Sequence, residues 1–266
     1  MTTRLFHISD VHFGVEDRAA LDAVARAVAE EKPDALVVTG DLTQRAKHSE
    51  YAAAARWLGQ IEVPVWLDPG NHDMPYYNLW ERFSDPFGRF HKLRAEVAVE
   101  RFETDDLVLV PLNTNIPAQR RWPWSDGVVT AEAQARTLQE VAGHEADGRW
   151  LILTAHHPLH GPKPGGPNAT IGGDAAYSAL VEAGIDAVLS GHIHTPFNEY
   201  RRCDQGEGGA QVIGAGTLST RLRHGAPPSY NVLTCTRRGA QAGGEIAGEI
   251  AGEIHVEQRA LAPSPR

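Results

Sequence analysis

The 266-residue chain lacks several features that would assign it to a specialised class of protein. Its only two cysteines are Cys203 and Cys235, so a disulfide framework is excluded and a single bridge is not implied. No stretch reaches the ~18 uninterrupted apolar residues of a membrane-spanning helix. The first residues also lack the basic region and apolar run of a secretory signal. We therefore expect a soluble protein with a cytoplasmic location.

An excess of positive charge is missing as well. The chain has 25 lysine and arginine residues against 34 aspartate and glutamate residues, a formal net charge of −9. A broad basic surface for nucleic acid or anionic membrane is therefore not expected, although a small basic pocket is allowed. Hydrophobic residues make up 42% and charged residues 22%, which is close to globular averages and argues against a long disordered region.

Histidine is the residue type that stands out, with 13 copies and no low-complexity tract to account for them. Histidine is the commonest metal ligand among side chains. The positions of these residues relative to the predicted strands therefore decide how the sequence is interpreted.

Short apolar runs alternate with helical patterns through the first two thirds of the chain. The patterns predict strands at 5–8, 35–39, 63–67, 107–112, 151–155 and 187–190, and helices at 19–30, 49–58, 130–142 and 175–183. Apolar runs without polar alternation are typical of buried strands joined by crossover helices, so the fold class is α/β. After residue 196 the pattern predicts strands at 198–201, 211–214, 230–235 and 254–259, as the antiparallel part of a second sheet.

A cluster of polar residues follows most of these predicted strands. In an extended segment residues i and i+2 point to the same side, so a spaced pair can reach one ion. Carboxyl ends of strands in an α/β sheet converge on the crevice where such folds bind ligands. The alternative is that these residues only cap and turn the chain. In chain order they are Asp10 and His12, Asp41, Asn71-His72-Asp73, His156-His157, and His192 and His194.

The chain resembles the calcineurin-like metallophosphoesterase superfamily in five blocks that span residues 10–194. They are Asp10-x-His12, Gly40-Asp41, Gly70-Asn71-His72-Asp73, His156 and Gly191-His192-x-His194. The resemblance implies a four-layer αββα sandwich with two mixed sheets flanked by helices. We expect one such domain over residues 1–243. Residues 244–266 would form a C-terminal extension that contains a Gly-Glu-Ile repeat and a final strand.

The resemblance also implies a centre of two divalent metal ions, with Asp41 as the bridging carboxylate. The implied ligands are Asp10, His12, Asp41 and His194 for one ion, and Asp41, Asn71, His156 and His192 for the other. Nitrogen and oxygen ligands without thiolate suit Mn, Fe, Zn or Co. Two such ions ~3.5–4 Å apart can clamp a phosphoryl group and hold a bridging hydroxide in line with the phosphorus.

The remaining candidate residues divide into three groups. By resemblance His72 faces the substrate and can protonate the leaving oxygen or stabilise the transition state, and Asp73 is expected to orient it. His157 is expected to support the site or its loop, and His7 to be a hydrogen-bonded histidine inside a strand. Four further residues are candidates for contact with phosphate or leaving group, with a basic surface turn as the alternative interpretation. These are Arg45, Arg221, Arg223 and His224.

The most similar branch of the superfamily contains bacterial cyclic-nucleotide and glycerophosphodiester phosphodiesterases. We therefore expect a phosphodiesterase that acts on a small-molecule phosphate ester. A phosphomonoesterase or a pyrophosphate hydrolase of the nucleotide type is the alternative within enzymes, and a noncatalytic metal-binding scaffold is the alternative from another class. The acidic balance disfavours a nuclease. A homodimer with contacts through the C-terminal strands is a further expectation.

Overall fold

The computed structural model of the protein describes residues 2–118, 125–144, 148–160, 170–204, 208–221, 225–236 and 253–262. Within these ranges the helices are α1 (Arg18–Glu31), α2 (His48–Leu58), α3 (Leu79–Ser84), α4 (Gly88–Val97), α5 (Ala131–Ala142) and α6 (Gly173–Glu182). The strands are β1 (Thr2–Ile8), β2 (Ala35–Thr39), β3 (Val65–Asp68), β4 (Leu107–Pro111), β5 (Gly127–Val128), β6 (Trp150–Thr154), β7 (Thr170–Ile171), β8 (Ala187–Ser190), β9 (Phe197–Arg202), β10 (Gly209–Gly214), β11 (Ser229–Thr236) and β12 (Glu253–Ala260).

Ten of these strands form two five-stranded mixed sheets. The first sheet has the order β12-β11-β1-β2-β3, in which β1, β2 and β3 are parallel and β11 and β12 are added antiparallel. The second has the order β4-β6-β8-β10-β9, with four parallel strands and β9 antiparallel at one edge. The parallel strands of each sheet carry their carboxyl ends to one edge.

Successive side chains along each strand point to opposite faces of its sheet, and each face packs against a different layer of the structure. In β1, Leu5 packs between the two sheets, whereas Phe6 and Ile8 pack on the opposite face with residues of α1, α2 and α4. In the second sheet Leu109 packs between the sheets, and Val110 packs outward with residues of α5 and α6. Three buried clusters therefore separate four layers, and the predicted αββα sandwich is confirmed.

The last two strands differ from the prediction. Residues 230–235 and 254–259 were expected in the antiparallel part of the second sheet, but β11 and β12 belong to the first sheet. β11 lies directly beside β1, with Leu5 opposite Leu233. Tyr230 contributes to the outer cluster and Cys235 to the cluster between the sheets, so β11 is buried on both faces like an inner strand. The expectation for β9 is correct, because it is antiparallel at the edge of the second sheet.

Several short elements were not predicted at all. Helices α3 and α4, and the parallel pair β5 and β7, lie in stretches to which the sequence patterns assigned no element. The final strand is present as β12, paired along its length with β11. Most of the Gly-Glu-Ile repeat lies outside the described residues, and the division of the chain at residue 243 stays a prediction. None of the helices described is both long and apolar enough to cross a membrane.

Candidate active site

The five sequence blocks follow β1, β2, β3, β6 and β8, so both sheets deliver them to the same edge of the sandwich. Backbone hydrogen bonds continue beyond the strands and hold adjacent blocks together. The amide of Asp10 donates to the carbonyl of Gly40 over 3.1 Å, and that of His12 donates to the carbonyl of Asp41 over 3.0 Å. In the second sheet the amide of Gly191 donates to the carbonyl of His156 over 3.0 Å.

Hydrogen bonds between the sheets join the two halves of the site. The amide of His192 donates to Oδ2 of Asp10 over 2.8 Å. Nδ1 of His156 lies 2.9 Å from the carbonyl oxygen of Thr39. Because a carbonyl only accepts, this nitrogen carries the proton of the neutral ring, and Nε2 is the nitrogen that a metal ion can bind. The hydrogen bonds thus orient His156 as a ligand acting through Nε2.

Two glycines allow the blocks to approach this closely. A methyl group at Gly70 would overlap the amide and the carboxylate of Asp41, and one at Gly191 would overlap the side chains of Ser9 and Asp10. The first glycine contacts another block of its own sheet, and the second contacts a block of the other sheet. Any larger residue at either position would therefore force the blocks apart.

The backbone at the site is held in an unusual conformation. Five of the seven predicted metal ligands have a positive φ, at values between 52° and 70°. Residues other than glycine seldom adopt this left-handed region, which costs on the order of 1–2 kcal/mol per residue. Such strain clusters where the surrounding structure must fix a side chain for function. The five are Asp10, His12, Asp41, His192 and His194.

Asp10, His12 and His194 form the first of the two potential metal-ligand clusters that contain a carboxylate. Nε2 of His194 lies 3.1 Å and Nε2 of His12 3.7 Å from Oδ1 of Asp10. The two Nε2 atoms lie 3.3 Å apart. Nδ1 of His12 faces the carbonyl oxygen of Thr43 at 3.3 Å, so its Nε2 is the ligand atom. Oδ1 of Asp10 is buried and has no hydrogen bond of good geometry among the described residues. A buried carboxylate oxygen facing imidazole nitrogens fits a divalent cation.

The second cluster centres on Asp41. Oδ1 of Asp41 lies 3.4 Å from Nε2 of His156, and its Oδ2 lies 3.7 Å from Nε2 of His12. The two oxygens of Asp41 therefore face different clusters, as a bridging carboxylate requires. Oδ1 of Asn71 lies 3.1 Å from the same nitrogen of His156. The ring of His192 is 5.2 Å from that of His156, and the structure thus brings all seven predicted ligands together.

The protonation states of most of these residues suit metal binding. Burial raises the pKa of Asp41, but the charges of His156 and His72 outweigh it and hold the pKa well below its ordinary value. Burial lowers the pKa of His12 and of His192 to about 4. His156 differs: burial lowers its pKa, but the charge of Asp41 outweighs this effect and raises the pKa to about 9. A metal ion at His156 would therefore have to displace a proton.

His72 and Asp73 do not interact as the sequence predicted. Nδ1 of His72 lies 2.7 Å from the carbonyl oxygen of Gln44, and the amide of His72 donates to Oδ1 of Asp41 over 2.8 Å. The carboxylate of Asp73 accepts instead from the amides of Leu42, Thr43 and Gly70 and from the hydroxyl of Thr43. The expected orienting bond from Asp73 to the ring is therefore wrong. These backbone amides belong to the two loops that carry Asp41 and Asn71. Asp73 therefore orders both loops, and its carboxylate oxygens are not directed at the ring of His72.

His157 supports a loop, as the sequence suggested. Its Nε2 faces the carbonyl oxygen of Ser125 at 2.9 Å, and its Nδ1 lies 2.8 Å from the hydroxyl of Thr114. Both ring nitrogens thus have protein partners, although the ring lies in a cluster of three histidines with His156 and His192. His7 is buried and hydrogen-bonded to Thr39, in agreement with its predicted role inside a strand.

A cavity of about 640 Å³ opens beside the metal-ligand clusters, with Asn71 and His72 in its wall. Arg45 and Arg221, two of the predicted phosphate-binding residues, line it. The other two, Arg223 and His224, lie outside the described residues. Arg82 also lines the cavity and was not predicted, because nothing in its local sequence distinguishes it from a surface arginine.

The residues that orient the ligands were missed for a different reason. Thr39, Thr43 and Gln44 act through their backbone carbonyls, which every residue has. Their closeness in sequence to the Gly40-Asp41 block was the only feature that could have indicated a role at the site. Thr217, whose hydroxyl donates to the carbonyl of Asp10 over 2.7 Å, follows β10 and belongs to no block.

The αββα fold and the buried clusters of aspartate and histidine at its strand ends define a metal-dependent phosphoester hydrolase. The sequence model of one family, described as calcineurin-like phosphoesterase, matches residues 3–196. The chain belongs to this family, whose members use divalent metals.

Two relatives and one solved structure illustrate the similarity. The chain is 28% identical over 216 residues to a probable cyclic nucleotide phosphodiesterase of Pseudoalteromonas sp., a match that covers 75% of this chain and 74% of the relative. It is 30% identical over 213 residues to a probable cyclic nucleotide phosphodiesterase of Synechococcus sp., covering 76% and 77%. A dimetal phosphatase from Danio rerio superposes with a TM-score of 0.59 at 13% identity, over 87% of this chain and 92% of that one. The last likeness concerns the fold alone.

Proposed function

We propose that this protein is a phosphodiesterase with two divalent metal ions at the shared edge of its sheets. The observation that carries the proposal is the position of Asp41, whose two carboxylate oxygens face different histidines at 3.4 and 3.7 Å. One ion would be held by Asp10, His12, Asp41 and His194, and the other by Asp41, Asn71, His156 and His192. When bound, such a pair neutralises the phosphoryl charge and activates the nucleophile.

The residues of the chain hold this centre in a fixed geometry. Asp10 is anchored through Oδ2 by the amide of His192, so its other oxygen remains directed at His12 and His194. Asp41 is likewise fixed through Oδ1 by the amide of His72. These bonds come from backbone groups, and the carboxylates therefore need no reorganisation when a cation or substrate binds.

His72 is suited to transfer a proton to the leaving oxygen. Its Nδ1 donates to the carbonyl of Gln44, so Nε2 is the nitrogen that can release or accept a proton. The ring is half-buried in the wall of the cavity and packs edge-on against His12 at 4.9 Å between ring centres. It thus lies beside the ligands without being needed as one, which matches the role of a general acid.

Two observations favour a diester over a monoester. The cavity beside His72 leaves room for a second ester group next to the reacting phosphate. The two relatives described above carry the name of probable cyclic nucleotide phosphodiesterases. A cytoplasmic location, a homodimer and the choice among Mn, Fe, Zn and Co remain our predictions for this protein.

The test is a substrate panel on metal-reconstituted protein. We expect bis(p-nitrophenyl) phosphate to be hydrolysed with a higher kcat/KM than p-nitrophenyl phosphate, with two equivalents of metal per chain by elemental analysis. Cyclic AMP and a pyrophosphate diester complete the panel. A preference for the monoester or for the pyrophosphate would overturn the proposal, and so would full activity with one equivalent of metal.

A further inference from the structure

Among the described residues, the wall of the cavity beside the candidate metal centre contains three arginines and no acidic residue. Arg45, Arg82 and Arg221 line it together with Asn71 and His72. This is unusual in a chain whose net charge is −9. Within the described residues, none of the three guanidinium groups forms an ion pair with a carboxylate. In the part of the chain that the structure describes, the wall of the cavity therefore carries positive charge that no carboxylate pairs with.

Neutral partners hold two of these arginines in place. Nε of Arg82 donates to the carbonyl of Pro117 over 2.7 Å, and one terminal nitrogen donates to the carbonyl of Pro75 over 3.3 Å. The guanidinium of Arg45 lies 5.4 Å from the ring centres of both Tyr76 and Tyr77. Carbonyl oxygens and aromatic faces orient a cation without cancelling its charge.

Two acidic residues close to these arginines in the sequence are engaged elsewhere. Glu50 accepts hydrogen bonds from the backbone amides of Arg45 and Lys47 and lies 3.8 Å from Nζ of Lys47. Glu81, on α3, is paired with Arg89. Neither carboxylate is therefore available to neutralise the cavity. Burial also lowers the pKa of Arg82, which is the cost of keeping a cation without an anionic partner.

The charge exceeds what the reacting phosphate needs. In the proposed function the phosphate to be cleaved is neutralised by two divalent ions, and a diester carries a single negative charge. Guanidinium groups bind carboxylate and phosphate through paired hydrogen bonds, so three of them in one cavity favour an additional anion. Apolar side chains of Met74, Tyr76 and Leu79 form another part of the wall and suit an organic body.

We propose that this cavity binds the ester substituent of the substrate and selects a substituent that carries a second anionic group, a phosphate or a carboxylate, on an apolar body. The proposal rests on the proposed function, because it assigns the cavity to the group next to the scissile bond. The competing explanation is that the arginines contact only the reacting phosphate. The two explanations differ in whether a second anion on the ligand improves binding.

Phenyl phosphate and 4-carboxyphenyl phosphate are a matched pair of probes that differ by one carboxylate. We expect calorimetry on the metal-reconstituted protein to give a Kd about tenfold lower for the carboxylated ligand, the effect of one charge-assisted hydrogen bond. Arg45→Gln and Arg221→Gln should each reduce this ratio to about threefold or less. Arg18→Gln is the control, because Arg18 is an exposed residue outside this cavity, and the ratio should not change.

Equal affinity for the two probes in the unmodified protein would overturn the proposal. A tenfold ratio that persists in Arg45→Gln, Arg82→Gln and Arg221→Gln would also overturn it, since a group other than these arginines would then hold the carboxylate. The binding measurement does not depend on turnover. Preference for the carboxylated probe without hydrolysis of bis(p-nitrophenyl) phosphate would leave the cavity assignment as a binding site and refute the phosphodiesterase. Hydrolysis of bis(p-nitrophenyl) phosphate without preference for the carboxylated probe would support the phosphodiesterase and refute the assignment of the cavity.

Discussion

The two sheets make different contributions to the same site. Of the predicted ligands, the loops after the first sheet provide the carboxylates and the amide, Asp10, Asp41 and Asn71, and one imidazole, His12. The loops after the second sheet provide imidazoles only, from His156, His192 and His194. The clusters of Asp10, His12 and His194 and of Asp10, Asp41 and His156 each combine residues from both sheets.

This division means that neither sheet contains all the residues of either potential metal-ligand cluster. The carboxylates would repel each other without the cations or the imidazoles opposite them, and the imidazoles alone offer no charge to attract a divalent ion. The apolar cluster between the sheets includes Leu5, Trp66 and Leu189. By packing the sheets together, it also holds the residues of the candidate site in place. Changes that affect one sheet or the other should separate these contributions.

The largest effect is expected from Asp41→Ala, which removes the carboxylate that faces both clusters. We expect activity to fall by roughly 10³-fold or more, the equivalent of several kcal/mol of lost charge stabilisation, with depletion of both metal ions. Elemental analysis and kcat/KM for bis(p-nitrophenyl) phosphate measure the two effects. Asp174→Ala, at the exposed start of α6, is the control and should retain both. Two metals and unchanged turnover in Asp41→Ala would show that the first sheet does not supply the bridge.

The second-largest effect is expected from a residue after the first sheet that takes part in proton transfer and does not bind metal. His72→Ala should keep both metals and lose about 10²- to 10⁴-fold in kcat, with the larger loss for esters of poor leaving groups. A set of aryl diesters of graded leaving-group pKa gives this dependence directly. His48→Ala, at the exposed start of α2, is the matched control. Loss of metal from His72→Ala would instead identify His72 as a ligand.

A smaller effect is expected from enlarging the glycines that let the blocks meet. Gly70→Ala should strain contacts within the first sheet, and Gly191→Ala should strain contacts between the sheets. Each is expected to lower the free energy of unfolding by about 1–3 kcal/mol, measured by urea denaturation. Gly143→Ala, at the end of α5 with a φ of −69°, should change it little. If Gly191→Ala were as stable as the unmodified protein, the two sheets would be less tightly joined at the site than the geometry indicates.

The smallest effect concerns a left-handed residue away from both clusters. Lys32 ends α1 with a φ of 45°, and Lys32→Gly should relieve its strain and stabilise the protein by about 0.5–1 kcal/mol at unchanged activity. Lys32→Ala removes the same side chain but keeps the Cβ, so it should not give this gain. Thermal unfolding of the three proteins measures the difference. Equal melting temperatures for the glycine and alanine variants would indicate that the left-handed backbone is not costly here.

The features that could be predicted from the sequence are those that depend on residues close together in the chain. Strand β2 agrees in both bounds, and each ligand block is a short run directly after a strand, as with His192 and His194 after β8. The contacts of Asp73 could not be predicted, because its partners Leu42 and Thr43 are about thirty residues distant in the chain. The same holds for β11, whose place beside β1 depends on pairing across more than two hundred residues.

The left-handed backbone at the proposed ligands affects which substitutions evolution can accept at these positions. Substitution of His192 by glycine would relax the main chain and delete an imidazole in a single step. If His192 binds a metal ion as proposed, stability and hydrolysis favour opposite residues at this position, and purifying selection on activity keeps the strained histidine. A descendant released from that selection would gain stability from the same substitution that ends its catalysis.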